Sequence, residues 1–371
     1  MKVLALAVLL RSVSLAGSPG SAGADFLQLG AGPRAVAMGE GHVAVADDAY
    51  AAYWNPAGLA QLRYTEAALT HMTVGQGITH QFLSLAHPFG PGQAVAASVT
   101  RLDSGEIESY DATGARRGSV DAADMAAQLS YGRLVAGGTG KAPELRAGVG
   151  GKYIHERLAN VSASTFAGDL GLLVSRLDNA LGEKARGFRA GFAVRNMGPG
   201  LKFHTERTKL PRSYAGGLAW EGQPWGDPMT ASAEMKTAVD DGLSGSFGVE
   251  YWVRRVLAVR AGYVTGQDEG LGLRFGIGIR LKRVLVEYAM AGYGDLGDRH
   301  RFGLSYRFGG APDVAERGPQ DFISRGRAYL EQKRYYEAVT EFNRALELDP
   351  GNKAALEDMR RALKAMEDEK R

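Results

Sequence analysis

The chain has 371 residues, 45% of them hydrophobic, enough to bury the core of one large domain or two ordinary ones, which excludes a disordered or collagen-like chain. Its 51 glycines are about twice the usual share, and with no cysteine it holds neither a disulfide framework nor a thiolate metal site. Forty-four basic and 41 acidic residues leave a net charge of +3, without the basic excess that phosphate backbones demand, so nucleic acid is excluded as a partner.

Lys2 precedes the apolar run Val3 to Leu10, and small residues lead to Ala22-Gly23-Ala24, an A-x-A cleavage pattern. Residues 1–24 therefore read as an export signal, with Asp25 opening the mature chain. The run is shorter than the roughly 20 residues of a membrane helix, and no later window holds 18 uninterrupted apolar residues. A membrane-bound form of this chain must be a barrel.

Residues 25–62 contain Gly30-Ala31-Gly32-Pro33-Arg34-Ala35, which mimics a dinucleotide-binding loop. That chemistry needs a preceding strand and a following helix, whereas Asp25 to Leu29 opens the mature chain and Pro33 interrupts the turn. Gly137-Gly138-Thr139-Gly140-Lys141 fails as a phosphate loop too, because Val135 and Ala142 stand where Gly and a hydroxyl are needed, and reads as a hairpin loop.

From residue 63 to 308, period-two alternation predicts strands. Phe302, Leu304, Tyr306 and Phe308 share one face while Arg301, Gly303, Ser305 and Arg307 share the other. Phe188 to Val194 opposes Arg189 to Arg195 likewise, and Met125 to Tyr131 opposes Ala126 to Gly132. About fourteen segments of roughly 9–11 residues, starting near Tyr64, Ile78, Gln93, Ala123, Leu145, Ser164, Gly187, Ser213, Met229, Ser244, Val256, Leu271, Val284 and Arg299, fit an all-β, antiparallel transmembrane barrel. Tyr251, Trp252, Tyr263, Tyr288 and Tyr293 fall near strand ends and suit interfacial girdles.

The composition changes after a Pro/Gly linker at 309–319. Residues 319–371 hold 11 basic and 11 acidic residues but two glycines, marking a separate small helical domain. Phe322, Gly326, Tyr329, Tyr335, Ala338, Phe342, Ala345 and Pro350 fall at the spacings of a 34-residue tetratricopeptide (TPR) unit, so residues 320–371 read as one repeat with a capping helix from Lys353, Ala354, Leu356, Leu363 and Met366 being only loosely periodic along it.

Three stretches carry a family resemblance: Gly30-Ala31-Gly32-Pro33-Arg34-Ala35-Val36-Ala37-Met38-Gly39, then Val43 to Ala49, then Tyr53-Trp54-Asn55-Pro56-Ala57-Gly58-Leu59. Together with Val194 to Phe203 and Gly248 to Tyr263, they resemble the PorV/PorQ family of outer-membrane barrels, distant relatives of the FadL fatty-acid channels. Glu40 departs from the family, which usually continues with a second glycine. The resemblance implies that residues 25–62 plug the lumen, with Asp47, Asp48, Trp54, Asn55, Pro56 and Gly58 as the plug motif. Asp47, Asp48 and Asn55 are then placed to meet lumen arginines, with Arg189, Arg195, Arg274, Arg280 and Arg307 as candidates. Phe302, Tyr306 and Phe308 resemble the terminal-strand signal by which the outer-membrane barrel assembly machinery recognises its clients, although here that strand is internal.

The chain is thus expected to be a non-enzymatic protein of a Gram-negative outer membrane, with lipid around the barrel and the TPR tail in the periplasm, carrying no cofactor and no metal. The seven histidines show no metal-ligand spacing, and no nucleophile elbow is in register. The family implies a carrier or adaptor for a secretion-system component or cargo protein docked through the TPR. The alternatives are a FadL-like channel for a hydrophobic ligand, which needs a continuous apolar path, and a soluble periplasmic β protein.

Overall fold

The computed structural model describes residues 22–75, 77–137, 142–203, 205–239, 242–267, 270–310, 319–349 and 351–368. Residues 1–21 of the expected export signal, residues 138–141 of the second glycine loop, residues 311–318 of the expected linker, and Pro350 lie outside them. Contacts divide the chain after Gly309 into two units.

The first unit is a closed antiparallel barrel of fourteen strands. In chain order these are β1 (Tyr64–Gly75), β2 (Ile78–Gly90), β3 (Gln93–Tyr110), β4 (Arg116–Ala136), β5 (Glu144–Leu158), β6 (Val161–Ser175) and β7 (Phe188–Met197). A two-stranded ribbon, β8 (Leu201–Phe203) and β9 (Glu206–Thr208), is inserted before β10 (Ser213–Gly222), β11 (Met229–Ala238) and β12 (Leu243–Val253). The last four are β13 (Leu257–Val264), β14 (Leu273–Leu281), β15 (Val284–Gly292) and β16 (Asp298–Gly310). Each strand pairs with its sequence neighbour, β7 pairs with β10 across the ribbon, and β16 pairs with β1 to close the ring. Closure leaves no strand edge unpaired, the condition for β structure in hydrocarbon.

Burial along these strands is inverted relative to a soluble sandwich. Leu129 and Phe166 are 71% and 69% exposed, whereas Arg260 and Arg301 are each 1% exposed. The outer surface carries Leu, Phe, Val and Ile on every second residue and the inner surface carries Gly, Ala, Ser and charge, which suits an exterior of lipid tails. No described helix is long and apolar enough to cross a membrane.

Three predicted details are corrected. β4 begins at Arg116 rather than Ala123, because the β3–β4 hairpin continues as a polar ladder, pairing Glu106 with Asp121 and Ile107 with Val120 beyond the apolar band. β14 starts at Leu273 instead of Leu271. Trp252 faces the lumen, buried, since its neighbour Tyr251 takes the outer face and alternation forbids both; Tyr293 is held at the lumen mouth by arginines, away from any girdle.

Short elements fill the barrel: a 3-10 turn at Asp25–Gln28, α1 (Pro33–Ala37), α2 (Ala51–Trp54) and a second 3-10 turn at Pro56–Gln61. Pro33 and Pro56 each open a helical turn, where the missing N–H costs nothing. Gly39 and Glu40 both take positive φ, 70° and 65°, so Glu40 occupies the left-handed conformation that a second glycine would adopt freely. Outside the barrel wall α3 (Asp178–Leu181) sits in the β6–β7 connection.

The second unit comprises α4 (Pro319–Glu331), α5 (Tyr335–Leu348) and α6 (Lys353–Asp368). Ile323, Ala338, Phe342, Ala345, Ala355 and Ala362 form its buried core, with Phe322 and Tyr329 packed alongside. Gly326 faces the Phe342 ring too closely for any Cβ, and Tyr335 is half-buried. On α6 the inward stripe is Ala355, Met359 and Ala362, a better helical period than Ala354, Leu356, Leu363 and Met366, and Leu363 is 40% exposed.

Candidate functional site

The plug meets the wall through missing side chains. Inward-facing glycines on separate strands lie against plug backbone: Gly148 and Gly132 against Pro56, Gly191 against Val43, Gly248 against Met38, and Gly262 against Gly39. Gly171 meets Asn55, Gly276 meets Ala37, and Gly303 meets Pro33. A Cβ at any of these would overlap the plug, so the glycine excess of the sequence is in part the fit between two surfaces.

The Asn55-Pro56 turn is the hinge of that fit. Asn55 Nδ2 donates to the Val43 carbonyl at 2.8 Å and to the Leu172 carbonyl of β6 at 3.0 Å, while Oδ1 accepts from the Ala57 N–H at 3.1 Å. One buried side chain thus caps a turn, ties two plug segments and anchors both to the wall. Gly58 faces the Ala46 carbonyl with no room for a Cβ. Trp54 Nε1 donates to the Ala31 carbonyl at 2.8 Å, and the Tyr53 hydroxyl donates to the Leu27 carbonyl at 2.7 Å while accepting from the Gly30 N–H.

Charge supplies the second set of contacts. Arg34 of α1 pairs with Asp47 at 2.5 Å, Asp48 at 3.4 Å and Glu250 of β12 at 2.9 Å. Glu250 also accepts from Arg260 at 2.7 Å, and Arg260 reaches Glu287 at 2.7 Å, giving a chain of alternating charges from plug to wall. Arg307 pairs with Glu66, Lys152 with Asp169, and Lys236 with Glu40. Burial alone would lower the Arg34 pKa, but Asp47, Glu250 and Asp48 overcome it and raise it well above the usual value. Burial would likewise raise Asp47, yet Arg34 and then Arg189 hold its carboxyl at about 2. His42, buried with neither ring nitrogen hydrogen-bonded, is pushed down to about 4, chiefly by burial, with Asp48 opposing and Arg34 adding to the shift.

The five lumen arginines all lie on the inner face, but in separate surroundings. Arg189 pairs with Glu221 and approaches Asp47 at 3.9 Å. Arg195 stacks over Tyr53 and Trp54 at 5.4 and 5.2 Å. Arg280 lies 4.2 Å over Trp252, Arg274 lies 4.7 Å over Tyr293, and Arg307 takes Glu66. Asp48 and Asn55 contact none of the five and Asp47 meets only Arg189 among them; the nearer counter-ion of both aspartates is Arg34, a residue of the plug itself. Arg34 and its wall partner Glu250 escape sequence reading because a charge on either side of a 216-residue separation carries no local signal.

Beside the plug only a small recess of about 10 Å³ is found among the described residues, room for about one water molecule, lined by Leu27, Tyr53, Trp54, Arg195, Glu40 and Lys236 among others. Among the described residues no group of three His, Cys, Asp or Glu is placed to hold a metal. On β16, Phe302, Tyr306 and Phe308 face outward, Tyr306 and Phe308 stacking at 5.7 Å.

Comparison with known proteins divides along the same two units. The tetratricopeptide repeat family model matches residues 319–352. A search of curated protein sequences returns no match. The barrel is similar in fold to the Ralstonia pickettii toluene transporter TbuX, at 13% identity over 76% of this chain and 99% of that one, with a TM-score of 0.52. It is equally similar to a deltaS2 mutant of the TodX monoaromatic hydrocarbon channel, at 13% identity over 75% and 98% of the two chains, TM-score 0.52. A Pseudomonas aeruginosa FadL homologue aligns at 14% identity over 74% and 96%, TM-score 0.44. The barrel therefore resembles Gram-negative outer-membrane proteins in architecture.

Proposed function

We propose that the chain is a non-catalytic outer-membrane barrel of the PorV/PorQ type, a carrier or adaptor in protein secretion or envelope assembly, whose TPR tail docks a partner protein in the periplasm. The observation that carries this reading is the filled lumen. Hydrophobic uptake needs an apolar route through the barrel, and here the plug is joined to the wall by the Arg34–Glu250–Arg260–Glu287 chain and by glycine contacts on eight strands. An ion-paired, tightly fitted interior suits a platform more than a conduit. A tetratricopeptide repeat is a protein-docking device, and one repeat falls short of the roughly three that stand alone, which favours completion by a partner.

The second reading, a FadL-like channel for hydrophobic small molecules, is favoured by the fold shared with the toluene transporter. One experiment separates the two. Full-length protein and protein truncated after Gly310 are compared for outer-membrane fractionation, heat-modifiability, crosslinked envelope partners and uptake of a monoaromatic hydrocarbon. Partners lost with the tail, and uptake equal to that of cells lacking the protein, uphold the adaptor; uptake that needs the barrel and not the tail replaces it with the channel.

A further inference from the structure

The rim of the barrel at which β1 begins and β16 ends carries two basic turns side by side. Arg254 and Arg255 join β12 to β13, and Lys282 and Arg283 join β14 to β15. Pairing of β13 with β14 runs up to the turns themselves, the Arg280 N–H donating to the Val256 carbonyl at 2.8 Å. The two turns therefore lie level with each other, two strand spacings or about 10 Å apart. All four basic residues are exposed. Asp227 of the neighbouring β10–β11 connection accepts from the Arg254 main-chain N–H at 3.0 Å.

Backbone geometry does not call for these residue types. The Val256 N–H donates to the Val253 carbonyl at 3.0 Å around Arg254 and Arg255, whose φ values are 52° and 57°. That is the tight hairpin turn which Asn-Gly forms most readily. Lys282 is left-handed as well, at 55°. Directly inward of the turns the apolar belt begins: Val253, Leu257 and Leu281 are exposed, and Val259, Ile279 and Val286 continue the belt along the strands. Aromatic pairs bracket the turns along the rim. Trp225 packs edge-on against Tyr251 of β12 at 5.7 Å on one side, and Tyr306 and Phe308 of β16 stand on the other. Exposed cations just beyond an apolar belt and between outward aromatics are placed at the depth where lipid headgroups lie.

We propose that Arg254, Arg255, Lys282 and Arg283 form a binding site for the phosphate headgroup of an anionic phospholipid in the leaflet around this rim. Guanidinium forks match phosphate oxygens in pairs, and lysine adds a point charge beside them. Each cation near an anionic membrane surface adds to the attraction, so four on two adjacent turns select a charged headgroup over a zwitterionic one. The acyl chains of the same lipid lie along Val253, Leu257 and Leu281. The choice of phospholipid rests on the periplasmic placement of the tail proposed above, which puts this rim in the inner leaflet. The longer excursions of the barrel, the β3–β4 hairpin and the β8–β9 ribbon, stand at the opposite rim, as extracellular segments do.

The test is native mass spectrometry of the full-length protein released from mixed micelles that hold equal amounts of phosphatidylglycerol and phosphatidylcholine with the same acyl chains. At least fivefold more phosphatidylglycerol than phosphatidylcholine is expected to stay bound. A variant carrying Arg254→Asn, Arg255→Gly, Lys282→Asn and Arg283→Gln loses that preference with its heat-modifiability unchanged, because the new residues suit the turns. Arg254→Lys with Arg255→Lys keeps the preference, and Arg116→Gln with Arg117→Gln at the opposite rim binds as the parent does. Equal retention of the two lipids, or a preference that survives in the fourfold variant, overturns the proposal. A preference seen only after truncation at Gly310 assigns the patch to the tail and overturns it too. Stronger retention of diphosphoryl lipid A than of phosphatidylglycerol reverses the rim and overturns the phospholipid. Partner capture by the tail is read separately, so the adaptor reading and this site can each fail alone.

Discussion

Arg34 in the plug grips both carboxylate oxygens of Glu250 on the wall, Nε lying 3.2 and 3.1 Å from them and Nη2 2.9 Å from Oε1. Both side chains are nearly out of solvent, and removing Glu250 takes one carboxylate from Arg34, which keeps Asp47 and Asp48, and one from Arg260, which keeps Glu287. Glu250→Gln is expected to destabilise plug docking by about 1.5–3 kcal/mol, the scale of a lost charge-assisted hydrogen bond. Trypsin cleavage after Arg34 in detergent checks this: the variant is cut faster than the parent, and equal rates would mean that packing alone holds the plug.

The glycine contacts make an independent prediction about the same fit. A Cβ on Gly148 overlaps the main chain of Pro56 and Ala57, which cannot move without releasing the Asn55 anchor; Gly151, three residues along on β5, has open space around the same position. Gly148→Ala is expected to lower the yield of heat-modifiable barrel and loosen the plug by about 1–3 kcal/mol, the usual scale of overpacking. Gly151→Ala serves as its control and leaves both unchanged, since the barrel strand itself tolerates alanine.

How much of this could be read from the sequence depends on which forces are local. Period-two alternation is written residue by residue, so Phe302, Leu304, Tyr306 and Phe308 reveal the lipid face and Arg301 to Arg307 the lumen face without any knowledge of pairing. The polar continuation of β3 and β4 is invisible to that pattern, because beyond the bilayer nothing selects one face. Trp252 shows the opposite limit: an aromatic near a strand end looks like a girdle residue until strand parity and two arginines, Arg260 and Arg280, place it inside. The partner of Arg34 lies on a strand more than 200 residues away, and only closure of the barrel brings them together.

Acid acts on the plug through His42 and then Asp47. The folded pKa of His42 is about 4, below its ordinary 6.5, so the undocked state takes up the proton first. The stability that neutral His42 contributes is complete above pH 6.5 and is lost as pH falls from there to about 4, roughly 3 kcal/mol in total. Asp47, held at about 2 against an ordinary 3.8, contributes stability above 3.8 that is lost as pH drops further. Fluorescence of Trp54, which lies 6.1 Å from His42 between ring centres, with Trp220, Trp225 and Trp252 changed to Phe, is expected to shift to the red as pH falls from 6.5 to 4. His42→Phe flattens that part of the curve, and an unchanged curve in this variant would remove His42 from the account.

The tail has its own weak point. Gly326 of α4 sits directly on the Phe342 ring of α5, so the two helices approach as closely as a glycine allows. Gly326→Leu is expected to unfold α4 and α5, by the several kcal/mol typical of a severe core overlap, while the barrel, a separate unit, keeps its heat-modifiable mobility. Limited proteolysis of the purified variant should remove residues after Gly310 and spare the barrel; a protected tail would mean that the helices re-pack.

Gly23 and Ala24, which the sequence reading assigns to an export signal, make contacts in the folded chain that bear on where such a signal would be cut. The Gly23 N–H donates to the Lys209 carbonyl at 2.8 Å, and Gly23 packs against Leu201 and Thr208. Ala24 is 1% exposed, and its carbonyl accepts the Leu27 N–H that begins the first 3-10 turn. Cleavage after Ala24 would discard both residues and open the cluster that Ala24, Phe26 and Leu27 form with Leu201 and Leu210. Gly20-Ser21-Ala22 also offers small residues at both required positions, and cleavage after Ala22 leaves Gly23 as the N-terminus with its nitrogen already at Lys209. The intact mass of protein purified from outer membranes is therefore expected to correspond to a chain beginning at Gly23, heavier by one glycine and one alanine than a chain beginning at Asp25. A start at Asp25 would mean that the plug docks without these contacts, and Lys209 would then face the new terminus across an unfilled gap.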